Sequence, residues 1–173
     1  MGIVIERRES DNRWIDHVWL PVAVVPLAPA LDPSGPWRKL TDGEGWEQYH
    51  AGTLEMAVHR TDVEAYLDNL NGPRPAVFVV LRKDEDPDSE HEVKPFAVTV
   101  SPYEAQDYTD SGEEIVEGVP MPDGVREWLV AFIAAHPAPE PFRKRRLRRK
   151  DDHEAEEKPR YGRGSGWSEG HEF

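Results

Sequence analysis

The sequence predicts an α+β fold: a mainly antiparallel sheet of about five to seven strands with three short helices over residues 1–137, then a disordered C-terminal tail. Three observations predict it. β-prone runs crowd ahead of the first helix start and return between the helices, giving the order β-β-β-β-α-β-β-α-(β)-α. Helix starts are marked by capping residues or proline ahead of apolar residues at helical spacing. From Ala138 the apolar periodicity stops.

Gly2 to Arg8 (GIVIERR) is a short β-prone run, and Trp14 to Pro26 (WIDHVWLPVAVVP) is a second. Proline cannot donate to a ladder, so Pro21 makes the second run two short strands or one bulged edge strand. Ala28 to Gly45, rich in Pro, Gly and Asp, reads as a long connection, with Trp37 and Leu40 pinning it to the core. Trp46 to Arg60 reads as a hairpin. Its second arm alternates, with Leu54, Met56 and Val58 on one face, and Gly52 is the turn or bulge position.

Thr61-Asp-Val-Glu64 reads as a capping box, in which the Thr hydroxyl accepts from a first-turn amide and the Glu reaches back. Behind it Val63, Tyr66, Leu67 and Leu70 form one stripe. Ala76 to Leu81 is a continuous apolar run, as expected of a central strand covered on both faces. Lys83 to Glu92 (KDEDPDSEHE) reads as a solvated hairpin loop leading into the strand Val93 to Val100. Ser101-Pro-Tyr-Glu104 is a second capping box, with proline where its missing amide is harmless, and Asp110-Ser-Gly112 stops that helix. Ile115 and Val116 suggest one more short strand. Pro122-Asp123 opens the third helix, striped by Val125, Trp128, Leu129, Phe132 and Ile133, and Pro137 ends it. Residues 138–150 are then a proline-containing linker and basic run, and residues 151–173 a disordered tail.

Charge divides the chain. Residues 1–140 carry 11 Lys+Arg against 27 Asp+Glu, a net of −16, and residues 141–173 carry a net of +3. Arg143 to Lys150 (RKRRLRRK) has seven basic side chains in eight and reads as a contact device. An acidic body repels nucleic acid and anionic lipid. There is no cysteine, which excludes disulfides, thiolate metal sites and cysteine nucleophiles. The longest apolar stretch, Val18 to Leu31, holds three prolines, so no spanning helix is expected. The first residues lack the apolar core of a signal peptide. The expectation is a soluble, cytoplasmic protein with no membrane contact.

No chemical constellation stands out. The seven histidines show no metal-ligand spacing; His50 and His59 could approach one another across the proposed hairpin, and His17 reads as a partly buried ring. Asp107, Asp110, Glu113, Glu114 and Glu117 could hold a hard cation but read better as a solvated acidic ridge. No nucleophile elbow and no glycine-rich phosphate loop is present. No catalytic residue, metal or cofactor is therefore expected. The basic run could meet an acidic protein surface, the acidic body itself, or nucleic acid. The last is disfavoured because no aromatic interleaves with the arginines to stack on bases. The expected partner-binding residues are Tyr103, Tyr108, Ile115 and Val116 on the ridge, with Arg143, Lys144, Arg145, Arg146, Arg148 and Arg149 steering encounter.

The segments IVIERRESDNRWIDHVWLPVAVVP, GWEQYHAGTLEMAVHRTDVEAYLDNLNGPRPAVFVVLR and SPYEAQDYTDSGEEIVEGVPMP, followed by EPFRKRR, carry a resemblance. Over roughly residues 1–147 the chain resembles a functionally uncharacterised bacterial family, a domain of unknown function encoded near molybdenum- or tungsten-dependent formate dehydrogenases. Some members carry the label "molybdopterin-guanine dinucleotide biosynthesis protein A". A guanylyltransferase of that kind has a glycine-rich loop after its first strand, and none follows GIVIERR here. The resemblance implies a non-catalytic accessory or adaptor role in maturation or assembly of such an enzyme, with a formate dehydrogenase subunit or maturation factor as partner. An enzyme of molybdopterin-guanine dinucleotide biosynthesis and a nucleic-acid-associated regulator are the alternatives.

Overall fold

In a computed structural model of the protein, which describes residues 1–137, the N-terminal run becomes β1 (Gly2–Glu9), a central strand. It pairs antiparallel with β2 (His17–Val25) and with β4 (Trp46–Thr53), and β4 pairs with β3 (Arg38–Gly43), giving the order β2-β1-β4-β3. Pro21 lies at a register shift, where Val4 opposes Ala23 and Ile5 opposes Pro21. The second run is thus one bulged edge strand.

A second sheet has β5 (Ala76–Lys83) at its centre, flanked by β6 (Val93–Thr99) and β7 (Glu114–Pro120), also antiparallel. The apolar run in β5 is covered on both faces as its composition requires. Val77, Val79 and Leu81 join Ile3, Ile5 and Trp19 in the main core cluster, and Val80 is buried on the opposite side. The edge strand β2 runs beside β7. The described residues therefore hold seven strands in two antiparallel sheets, with three α-helices. All lie within one compact unit, Met1–Pro139. The expected linker, basic run and tail lie outside the described residues.

The helices are α1 (Val63–Asn71), α2 (Pro102–Ser111) and α3 (Asp123–Ala135). Tyr66 of α1 and Val125 and Leu129 of α3 enter the core cluster, whereas α2 packs on the three-stranded sheet. Buried Asn69 fixes α1 in place. Its amide nitrogen donates to Ala76 O (2.8 Å) and Val100 O (2.7 Å), so one side chain ties α1 to the start of β5 and to the residue that follows β6.

Several expectations need correction. The 46–60 segment is not a hairpin; β4 instead pairs with β3, across a turn at Gly43–Trp46. Leu54, Met56 and Val58 do turn inward and pack on the core, but residues 54–59 form no ladder. Alternation reported which side faced inward, not a pairing partner. Gly52 sits beside a bulge, where Ile3 opposes Gly52 and Val4 opposes His50. Its φ of +155° and the Pro33 Cα, 2.6 Å from where a Cβ would stand, both demand glycine. The Ala28–Gly45 connection ends in β3, and Leu40 on it is half exposed while Trp37 packs inward. Thr61 does not cap α1; a 3-10 turn, Arg60–Asp62, leads into the helix and the Thr61 hydroxyl donates to Asp62 Oδ1 (2.9 Å). The acidic loop is not wholly solvated, because His91 stacks on Trp37. Buried His50 lies 3.2 Å from Thr53 Oγ1, while His59 is exposed.

Candidate functional site

The α2–β7 ridge is built from its helix caps. The Glu104 amide donates to Ser101 Oγ (3.2 Å), half of the expected capping box. The reciprocal half passes through Thr99. The Ser101 amide donates to Thr99 Oγ1 (3.0 Å), and that hydroxyl donates to Glu104 Oε2 (2.6 Å). Gly112 closes α2 in the left-handed conformation, φ +72°, with its amide on Thr109 O.

The four ridge residues do not share one face. Adjacent strand positions point to opposite sides. Ile115 opposes Leu81 of the core side and is 41% exposed at the end of the sheet, whereas Val116 opposes Val80 on the other side. Tyr108 packs edge-on against Phe96, with ring centroids 6.0 Å apart. The Arg82 guanidinium lies 3.2 Å from the Phe96 centroid and also grips Glu114, whose other oxygen takes the Ser111 hydroxyl. These donors, Ser111 first and then Arg82, hold the Glu114 carboxyl below its usual value. Tyr103 leaves this group and donates its hydroxyl to Asp68 of α1. Arg143, Lys144, Arg145, Arg146, Arg148 and Arg149 lie outside the described residues.

Tyr103 lines instead a cleft of about 560 Å³ between α1, α2 and β6, together with His59, Asp62, Glu64, Glu104 and Asp107. The carboxylates give it an acidic wall. No group of three or more His, Asp or Glu side chains among the described residues is placed to hold a metal ion. No helix among them is long and apolar enough to cross a membrane.

A second surface escaped the sequence reading. A groove of about 440 Å³ is lined by Met1, Pro26, Leu27, Met56, Gly124, Val125 and Trp128. None of these seven side chains carries a charge, on a body whose net charge is strongly negative. Leu27 is 99% exposed and holds φ +56°, a left-handed conformation that costs a leucine roughly 1–2 kcal/mol. Trp128 on α3 is 44% exposed, and Val25 beside the groove 45%. The signal was present in PVAVVPLAP, but burial could not be told from exposure there. Helical spacing placed Trp128 on the core stripe, although it stands at that stripe's edge.

A family model described as "Protein of unknown function (DUF3305)" matches residues 1–146. The chain belongs to DUF3305. The DUF3305 match covers every described element and reaches Arg143, Lys144, Arg145 and Arg146 of the basic run. No curated protein and no solved structure matches the chain.

Proposed function

We propose that this DUF3305 protein is a non-catalytic accessory protein in the maturation or assembly of a molybdenum-dependent formate dehydrogenase, acting by binding a subunit of that enzyme or one of its maturation factors. The observation that carries the binding role is Leu27, a fully exposed leucine held in an unfavourable backbone conformation on the Met1–Met56–Trp128 groove, whose side chains carry no charge. Strain of that kind, with no contact in the free chain to offset it, is expected where a partner supplies the contact. The formate dehydrogenase reading rests on the resemblance carried by SPYEAQDYTDSGEEIVEGVPMP and EPFRKRR.

Anchor and steering roles divide between apolar and basic residues. Burying Leu27 against a partner contributes about 1.5–3 kcal/mol, and covering the open edge of the half-buried Trp128 adds a smaller amount. Arg143 to Arg146 raise the encounter rate with an acidic partner surface, which requires no fixed geometry. The ridge residues Tyr103, Tyr108, Ile115 and Val116 remain candidates, but their separate orientations make them a weaker single anchor.

Binding of the purified chain to the formate dehydrogenase catalytic subunit, and to its maturation factors, tests this. Leu27→Asp should weaken association at least tenfold, mainly by faster dissociation. Replacing Arg143, Lys144, Arg145 and Arg146 by Ala should slow association and flatten its salt dependence. No binding to any of these proteins, or binding indifferent to Leu27→Asp, would overturn the proposal.

A further inference from the structure

The loop joining β5 to β6 carries one side chain into the body of the other sheet. The His91 imidazole stacks on Trp37, with centroids 3.8 Å apart and planes 18° apart. It also stands 5.6 Å from the Trp19 ring and 5.9 Å from Tyr49, so three aromatics of the first sheet and its connection surround it. These rings pack on each other as well, Trp19 edge-on to Trp37 at 5.4 Å. His91 is therefore the plug in an aromatic box, and it ties an otherwise acidic, exposed loop to the first sheet.

The Trp37 face would favour a charged ring, but the enclosure opposes it through burial and a missing acceptor. His91 Nδ1 is buried and has no hydrogen-bond partner among the described residues, and the same holds for Trp19 Nε1 and His17 Nδ1. An imidazolium has two N–H donors. One of them would point into this enclosure without an acceptor, which is the expensive way to bury a charge.

The charged groups around the ring do not reverse this. Arg7 of β1 lies 6.0 Å from the Trp19 ring and adds positive potential. On β4 the Tyr49 hydroxyl donates to Glu47 (2.5 Å), but that carboxylate is already held by Arg7 and by Lys39 of β3. Glu90 and Asp84 of the loop itself pull the other way, and Lys83, Asp86, Glu92 and Glu113 line the cleft that His91 shares. Burial outweighs these carboxylates and sets the imidazole below its ordinary value.

We propose that His91 is an acid-sensitive latch: neutral, it holds the β5–β6 loop on the Trp19–Trp37–Tyr49 face, and on protonation it leaves the box and frees the loop. Release would uncover Trp37 and Tyr49 while both sheets stay paired, since the β5–β6 ladder ends at Lys83 and Val93 and the Asp84 amide, on Glu92 O at 2.9 Å, closes the base of the loop behind His91. The sign follows from linkage. The open form takes up its proton near pH 6.5 and the closed form only at lower pH. Opening is therefore favoured up to tenfold for each pH unit below about 6.5, until the closed-state value is reached.

The test is an NMR titration of the full chain from pH 8 to 5, following the His91 ring protons and the amide exchange between Glu85 and His91, with far-UV circular dichroism as a check on the body. The expected result is a midpoint below 6.5, loss of the ring-current shift that Trp37 imposes, faster loop exchange and an unchanged far-UV signal. His91→Phe, which keeps a ring in the box without a titrating nitrogen, should hold the loop protected at pH 5.5. Titration at or above 6.5 with the stacked signal retained would overturn the latch. So would loop opening at the same pH in wild type and His91→Phe, or loss of far-UV structure at that pH. If His91→Phe does not fold, the wild-type titration still decides between these outcomes.

Discussion

Asn69 and Ala76 bond to each other twice: the Asn69 amide nitrogen donates to Ala76 O at 2.8 Å, and the Ala76 amide donates to Asn69 Oδ1 at 3.0 Å. A side chain on α1 thereby behaves as an extra strand residue at the start of β5, and its second donor proton reaches Val100 O. Asn69→Ala would strip partners from one amide and two carbonyls in a nearly closed site. A loss of about 2–4 kcal/mol is expected in urea unfolding, because each unsatisfied buried group costs about 1–3 kcal/mol and water can reach some of them. Asn71→Ala, two residues on and exposed, should stay within about 0.5 kcal/mol.

The cap of α2 gives a second comparison. Ser101→Ala removes the acceptor for the Glu104 amide and should cost about 0.5–2 kcal/mol. Thr99→Val should cost at least as much, since the Thr99 hydroxyl serves both the Ser101 amide and the Glu104 carboxylate. Ser111→Ala, at an exposed helix end, should be the mildest of the three. Thermal unfolding of the set gives the order directly.

Two glycines separate strain from crowding. Gly112 is left-handed with open space around it, so Gly112→Ala should cost about 1 kcal/mol from backbone strain alone. Gly52→Ala meets the Pro33 backbone as well, and should cost several-fold more or prevent folding. Similar losses at both positions would show that the 28–36 segment does not lie against β4.

Acid stability should report Glu47. Hydrogen bonds from Lys39 and Tyr49 and the nearby Arg7 pull its carboxyl down to about 2. A group depressed on folding contributes stability above its unfolded value, near 4.5, which is lost as pH falls towards the folded value. Glu47→Gln should therefore flatten the stability profile between about pH 4.5 and 2 and leave the slope above pH 6 unchanged. Chemical unfolding at a series of pH values measures this.

What the sequence made legible was local. Ser101, Pro102 and Gly112 bracket α2 because capping chemistry needs only near neighbours. The apolar run of β5 announced a covered central strand because burial on both faces leaves no polar alternation. The strand β3 was hidden, since RKLTDG is exposed throughout and is a strand only because β4 lies beside it. The inward turn of Leu54, Met56 and Val58 was readable, but the missing partner was not. The site was less legible still. His91 looked like one more polar residue in an acid-rich loop, and only the fold brings Trp19, Trp37 and Tyr49 around it. Leu27 stood in an apolar run whose exposure the sequence left open, and its left-handed conformation is a property of the fold alone.

The binding role and the identity of the partner meet in one measurement: the molybdenum content per polypeptide of formate dehydrogenase purified from cells that lack this chain, restored with the wild type or with Leu27→Asp. Enzyme poor in molybdenum is expected without the chain, full loading with the wild type, and poor loading with Leu27→Asp at equal expression and unchanged thermal stability of the variant. Full loading and normal activity in cells lacking the chain would contradict it.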